Sequence, residues 1–197
     1  MKFPEYKYLI FSDLYRIKGE RKLSALLWSI LLGEAYKYIF WMRTCRYTRA
    51  HRLLKYAVYP IARIVLYRLT YKFGISIPPA TQIGSGFYIG HFGGIIVNGY
   101  SIIGKNCNIS QGVTIGQSSR GKNQGYPVLG DNVFIGPGAK ILGAVCVGND
   151  VAIGANCVVT RDIPDHSVVV GIPGQVISHA GSAVYVDNTD YDKETGL

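Results

Sequence analysis

From residue 83 onward, aliphatic residues return at every sixth position: Ile83 and Ile89, then Val97, Ile103, Ile109 and Ile115, then Leu129, Ile135, Ile141, Val147, Ile153 and Val159. Eight of these twelve anchors are followed by glycine. A small or compact, mostly apolar residue stands two places before most of them, as at Ser101, Cys107, Val113, Val133, Ala139, Val145, Val151 and Cys157. A period of six is neither that of a helix nor the plain alternation of a strand; it fits a short strand, a turn and another short strand. Three hexads close one triangular coil of a β-helix, and about four stacked coils bury anchors that no single repeat could bury alone. The register is broken by two extra residues between Ile89 and Val97 and by eight between Ile115 and Leu129. The longer insertion, GQSSRGKNQGYPV, is rich in Gly, Ser and Asn and predicts a loop, residues 116–128, leaving one corner.

Residues 1–73 have a different texture. LSALLWSILLG (23–33), AYKYIFWMRTCRYTRAHRLLKYAVY (35–59) and PIARIVLYRLTYKFG (60–74) carry apolar faces interrupted by Arg and Lys. They predict three or four short helices, with breaks near Gly33 and at Tyr59–Pro60, and a stop at Gly74. The expected organisation is a helical region (1–73), a β-helix (74–178) and an acidic tail (179–197).

Composition adds direction to this picture. The 197 residues fit one domain with an appendage, and 48% hydrophobic content excludes wholesale disorder. The formal charge of +9 is uneven: no Asp or Glu lies between Glu34 and Asp131, a window holding twelve Lys or Arg, whereas Asp187, Asp190, Asp192 and Glu194 gather in the tail. Such a field favours an anionic partner. No nucleic-acid recognition motif accompanies it. Tyr36, Tyr38, Phe40, Trp41, Arg43, Arg46, Tyr47, Arg49 and Arg52 suit a helix lying in a membrane interface, and equally a subunit-packing helix with a solvated basic face. No apolar stretch reaches the roughly 20 residues of a spanning helix, and MKFPEYKY lacks the features of a signal peptide. The four cysteines show no metal or redox spacing and are expected to be free thiols; the expected location is the cytoplasm, with possible contact at the inner face of the membrane.

One candidate for chemistry stands out. In GFYIGHFGGIIVNG (86–99), His91 lies two places after an anchor and beyond the turn glycine Gly90, where a side chain points outward. His51 in an Arg-rich helix, His166 in a turn and His179 at the start of the tail lack this setting. No residue set suggests a metal.

The stretches IPPATQIGSGFYIGHFGGIIVNG, IGKNCNISQGVTIGQ, VLGDNVFIGPGAKILGAVCVGNDVAIGANCVV and DIPDHSVVVGIPGQVI resemble the hexapeptide-repeat acyltransferases. Within them, the nearest likeness is to serine acetyltransferases and to sugar O-acetyltransferases of exopolysaccharide and capsule synthesis, such as the colanic acid enzymes. The resemblance implies a left-handed parallel β-helix, a homotrimer with active sites between neighbouring helices, and acetyl-CoA as co-substrate. It places the general base on His91 and an oxyanion-stabilising N–H near Gln117. The pantetheine arm falls on Pro137 and Ala155, and the nucleotide end on Thr160 and Arg161, with Lys122 a further cation for phosphate. Asn98 and Tyr126 are the candidate acceptor contacts.

This chain departs from the serine enzymes at four points. Gly90 and Ser76 stand where they carry acids, Tyr126 stands where they carry a second histidine, and the helical region is short. An amino-acid acceptor needs charged partners for its ammonium and carboxylate, whereas a glycan hydroxyl does not. The expectation is therefore O-acetylation of a sugar hydroxyl of a surface polysaccharide or its lipid-linked precursor, a carbohydrate acceptor. The alternatives are serine O-acetylation and a non-catalytic trimeric scaffold. A backbone carbonyl, Ser76, Asp13 or Glu34 is the expected partner of the His91 ring.

Overall fold

A computed structural model describes residues 1–193 of the chain. Residues 75–170 wind into a three-sided prism. Its first face stacks Ile75–Ser76, Ile95–Val97, Thr114–Gly116, Lys140–Leu142 and Val158–Val159; its second stacks Gln82–Ile83, Ile102–Ile103, Val128–Leu129 and Cys146–Val147. The third holds Tyr88–Ile89, Asn108–Ile109, Phe134–Ile135, Ala152–Ile153 and Val168–Val170, closed by the antiparallel strand Gln175–Ser178. All other pairings in the three sheets are parallel.

The hexad pattern explains this shape directly. All twelve anchors are buried, as are the eight small residues two places before them, so each coil sends both sets into one continuous core. The corner after the second face repeats a left-handed backbone at Gly86, Asn106, Asn132, Asp150 and His166. Asn and Asp tolerate that conformation and also bond the next coil. Asn106 Nδ2 donates to Asn132 Oδ1 (2.8 Å), and Asn132 Nδ2 donates to Asp150 Oδ1 (2.9 Å). On the second face, the glycines after the anchors lie almost backbone to backbone. A Cβ on Gly104 would fall well inside van der Waals distance of the Gly130 carbonyl oxygen.

The helical region forms five helices: α1 (Phe3–Lys18), α2 (Leu23–Leu31), α3 (Ala35–Arg49), α4 (Arg52–Ala57) and α5 (Tyr59–Phe73). The break near Gly33 is present, but 35–59 is not one helix. His51 adopts an extended backbone that starts α4, and its ring nitrogen lies 3.0 Å from the Met1 carbonyl oxygen. α5 begins at Tyr59, with Pro60 in its first turn, where a missing N–H costs nothing. Gly74 ends α5 in a left-handed conformation.

Two polar clusters fasten the helices to the prism. Arg43 of α3 donates to Asp13 of α1 and to the carbonyls of Ile83 and Gly84, while Asp13 accepts the Phe87 N–H. Arg16 of α1 donates to Asn108 Oδ1 through both terminal nitrogens, at 3.0 and 2.7 Å, and to the Asp187 carbonyl. The acidic tail is thereby part of the fold. Its buried Tyr191 bonds Ser85 and Asn106, Tyr8 donates to Asp192, and Tyr15 donates to Asp190. Glu194 lies outside the described residues.

Candidate active site

Strand register decides which residues share an edge. Ile89, Ile109, Ile135 and Ile153 pair in succession along the third face. The residues two places on, His91, Gln111, Pro137 and Ala155, therefore stack along the corner between the third and first faces, about 5 Å apart from coil to coil. Backbone bonds tie this corner together: Gly112 N–H to Gly93 O (2.7 Å), Gly138 N–H to Gln111 O (2.9 Å) and Asn156 N–H to Pro137 O (2.8 Å). His91, Gln111 and Ala155 are exposed, as an outward corner position requires, and Pro137 is half-buried.

The next corner collects the other candidates. Val97, Ile115, Ile141 and Val159 pair in succession along the first face, which puts Asn98, Gln117, Thr160 and Arg161 just past it. Asn98 Nδ2 donates to Gln117 Oε1 at 3.3 Å, and Asn98 Oδ1 accepts the Tyr100 N–H. Tyr100 and Tyr126 rings meet with centroids 4.9 Å apart. The 116–128 loop folds back along the prism instead of standing away from it. Asn123 Nδ2 donates to the Thr160 carbonyl (2.5 Å), and the Ala144 N–H donates to the Asn123 carbonyl (2.9 Å). Lys122, Thr160 and Arg161 are exposed beside that contact. Within one chain, then, Pro137 and Ala155 share an edge with His91. Gln117, Lys122, Asn98, Tyr126, Thr160 and Arg161 lie across the first face from it.

Beside His91 opens a cavity of about 330 Å³ whose walls include Lys18, Glu34, Tyr36, Tyr88 and Gly90. Local sequence explains how two charges reach it. Gly19 stops α1 in a left-handed turn just after Lys18, and Gly33 separates α2 from Glu34, the residue just before α3. A side chain at Gly33 would collide with the Ser29 carbonyl. Tyr36 is buried and donates to the Ile10 carbonyl at 3.0 Å; burial raises its pKa above the usual phenol value. The Arg16 guanidinium lies 5.9 Å from the Tyr88 ring centre, and burial lowers the Arg16 pKa from its ordinary value.

Of the acids expected to serve His91, Asp13 is fully engaged by Arg43 and the Phe87 N–H. Ser76 lines a separate cleft with Tyr38, Arg63 and Tyr67. Glu34 is the carboxylate that shares the His91 cavity. Lys18, Tyr88 and Gln111 were missed from the sequence. Gln111 was detectable, since it lies one coil after His91 once the two-residue insertion is counted. Lys18 carries no such signal, because helix packing brings it there.

Comparison with known proteins bears on the fold and the family. Residues 126–161 match the family described as "Bacterial transferase hexapeptide (six repeats)". The chain is 39% identical over 143 residues to a serine acetyltransferase of Bacillus pumilus, covering 73% of this chain and 66% of that protein. It is 42% identical over 132 residues to the serine acetyltransferase of Helicobacter pylori strain J99, covering 67% of this chain and 77% of that protein. The crystal structure of serine acetyltransferase from Brucella abortus superposes with a TM-score of 0.73 at 28% identity, over 91% of this chain and 72% of that one. The coenzyme A complex from the same organism superposes with a TM-score of 0.73 at 27% identity, over 91% of this chain and 70% of that one.

The prism is that of a hexapeptide-repeat protein, consistent with a left-handed β-helix. The chain belongs to the serine acetyltransferase family, a family of acyltransferases. This corrects the expectation of a sugar acceptor and of a role in polysaccharide synthesis, because the matching relatives are serine acetyltransferases. The physical reason lies in the helices. Gly90, Ser76 and Tyr126 leave the prism without those charges, but Glu34 and Lys18 bring one of each sign from the helices to the cavity that His91 and Gly90 line.

Proposed function

We propose that this chain transfers the acetyl group of acetyl-CoA to the hydroxyl of serine. The observation that carries this is the cavity of His91, with Glu34 and Lys18 on its walls. A zwitterionic acceptor presents an ammonium for Glu34 and a carboxylate for Lys18, and these contacts turn its hydroxyl toward the imidazole. Serine acetyltransferase of Brucella abortus has been crystallised with coenzyme A, and the Neisseria gonorrhoeae enzyme with serine.

An alcohol is a weak nucleophile at neutral pH. Neutral His91 takes its proton as the oxygen attacks the thioester carbonyl carbon, and a backbone N–H near Gln117 receives the developing oxyanion. Collapse breaks the C–S bond; the departing thiolate takes the proton back from His91, leaving O-acetylserine and CoA. The exposed corner of Pro137 and Ala155 provides a path for the pantetheine arm, and Thr160, Arg161 and Lys122 a place for its anionic end. His91 and Gln117 sit at different corners of one chain, so we assign the complete site to the seam between copies of a homotrimer. Four free cysteines suit a reducing compartment, the cytoplasm.

The test is release of CoA thiol by the purified chain with acetyl-CoA and serine, with mass spectrometry of the product. Saturable, serine-dependent release with formation of O-acetylserine is expected. Release no faster than without serine would overturn the assignment.

A further inference from the structure

α4 and α5 present an outer face that no part of the described chain covers. On α5, Ala62, Leu66, Leu69 and Phe73 form one buried stripe against the molecule. At about 100° per residue, Ile64, Tyr67 and Tyr71 fall on the opposite side, and they are 57%, 56% and 71% exposed. Arg63 flanks this strip on one side, and Arg68 and Lys72 flank it on the other. α4 adds Leu53 and Tyr56, 84% and 74% exposed, together with Arg52 and Lys55. Residues 52–73 thus carry five cations and no acid.

We propose that this face docks peripherally on an anionic phospholipid bilayer. The pattern is an apolar centre with cations on both flanks, so that side chains of the Ile64 strip enter the acyl boundary while Arg and Lys reach back to headgroup phosphates. Tyr56, Tyr67 and Tyr71 have the amphipathic rings that settle at headgroup level. Charge favours the bilayer over a two-fold contact of this face with itself, which would bring five cations against five with no acid in residues 52–73 to offset them. A heterologous contact with another face of a neighbouring copy is the outcome that the mass measurement detects. An anionic bilayer supplies both the negative charge and the apolar phase. No described helix is long and apolar enough to cross a membrane, so the contact is with the surface.

The experiment is flotation of the full-length chain with vesicles of phosphatidylcholine alone and of phosphatidylcholine mixed with phosphatidylglycerol, with oligomeric mass followed by light scattering. The chain floats with the mixed vesicles, releases as salt is raised, and stays behind with the neutral ones. Arg68→Glu with Lys72→Glu lowers the bound fraction about tenfold or more. Ile64→Ser with Tyr71→Ser loses binding while keeping the native mass and acetyl transfer. Failure to float with mixed vesicles, equal binding by either variant, or a fall in mass on Ile64→Ser with Tyr71→Ser would each overturn the proposal; the last would show that the face joins copies of the chain.

Discussion

Arg43 Nε lies 2.9 Å from Asp13 Oδ2 with both side chains out of water, and the same guanidinium closes off the carbonyls of Ile83 and Gly84. One residue thus joins two helices to the first coil. Arg43→Met strands a buried carboxylate and two carbonyls, and is expected to lower stability by about 3–5 kcal/mol. Denaturant unfolding measures this. A loss below about 1 kcal/mol would show that the first coil holds the helices without the pair.

His91→Asn removes the base while leaving an exposed corner position filled. Turnover should fall about 10²-fold or more, with an unchanged melting temperature. Steady-state kinetics and calorimetry on the same preparation separate the two effects, and retained turnover would move the base elsewhere.

Glu34→Gln keeps shape and loses charge. If Glu34 holds the acceptor ammonium, KM for serine rises about tenfold or more, the worth of one charge-assisted hydrogen bond, with kcat little changed. The opposite split, a fallen kcat at constant KM, would mean that Glu34 acts on the His91 ring instead.

Gly104→Ala forces a methyl group into the backbone of the neighbouring coil at Gly130. Overpacking of this kind costs about 1–3 kcal/mol. Gly121→Ala is not the matching control, because its φ of +80° adds strain even though nothing lies within reach of its Cβ. Gly93 is unsuitable for the same reason, with φ of +111°. Denaturant midpoints for Gly104→Ala and the parent chain supply the comparison.

Thiol reactivity should divide the cysteines sharply. Cys146 is exposed, whereas Cys45, Cys107 and Cys157 are buried. Burial pushes the Cys45 thiol up to about 11 and the Cys107 thiol up to about 12. The reactive species is the thiolate, so iodoacetamide at neutral pH should label Cys146 alone in the native chain and all four in denaturant. Mass spectrometry of the digest reads the result, and native labelling at Cys107 would contradict the packing of the core.

The prism was legible because its information is local and repeated. Ile83 to Val159 mark every coil, and His91 declares its outward direction by its distance from Ile89. The helices were legible as helices but not as five, since the break at Ala50–His51 has no glycine or proline to announce it. The cavity was the hardest part to see. Lys18 and Glu34 reach the walls of the His91 cavity because α1 and α3 pack on the prism, and Arg43, Asp13 and Arg16 fasten them there through contacts between residues far apart in the chain. Gly90, Ser76, Tyr126 and the short helical region therefore pointed to an uncharged site and a sugar acceptor, because the charges come from helix packing.

The tail's grip on α1 bears on the order in which the molecule can be completed. Arg16 leaves the ribosome early, but its carbonyl partner at Asp187 follows 171 residues later. During synthesis the coils can stack one by one as their hexads emerge, whereas α1 lacks its tail contacts until residues 185–192 have been made. The Arg43 and Asn108 contacts can hold α1 as the coils emerge, and the tail contacts beside the Lys18 turn are the last to be added to it.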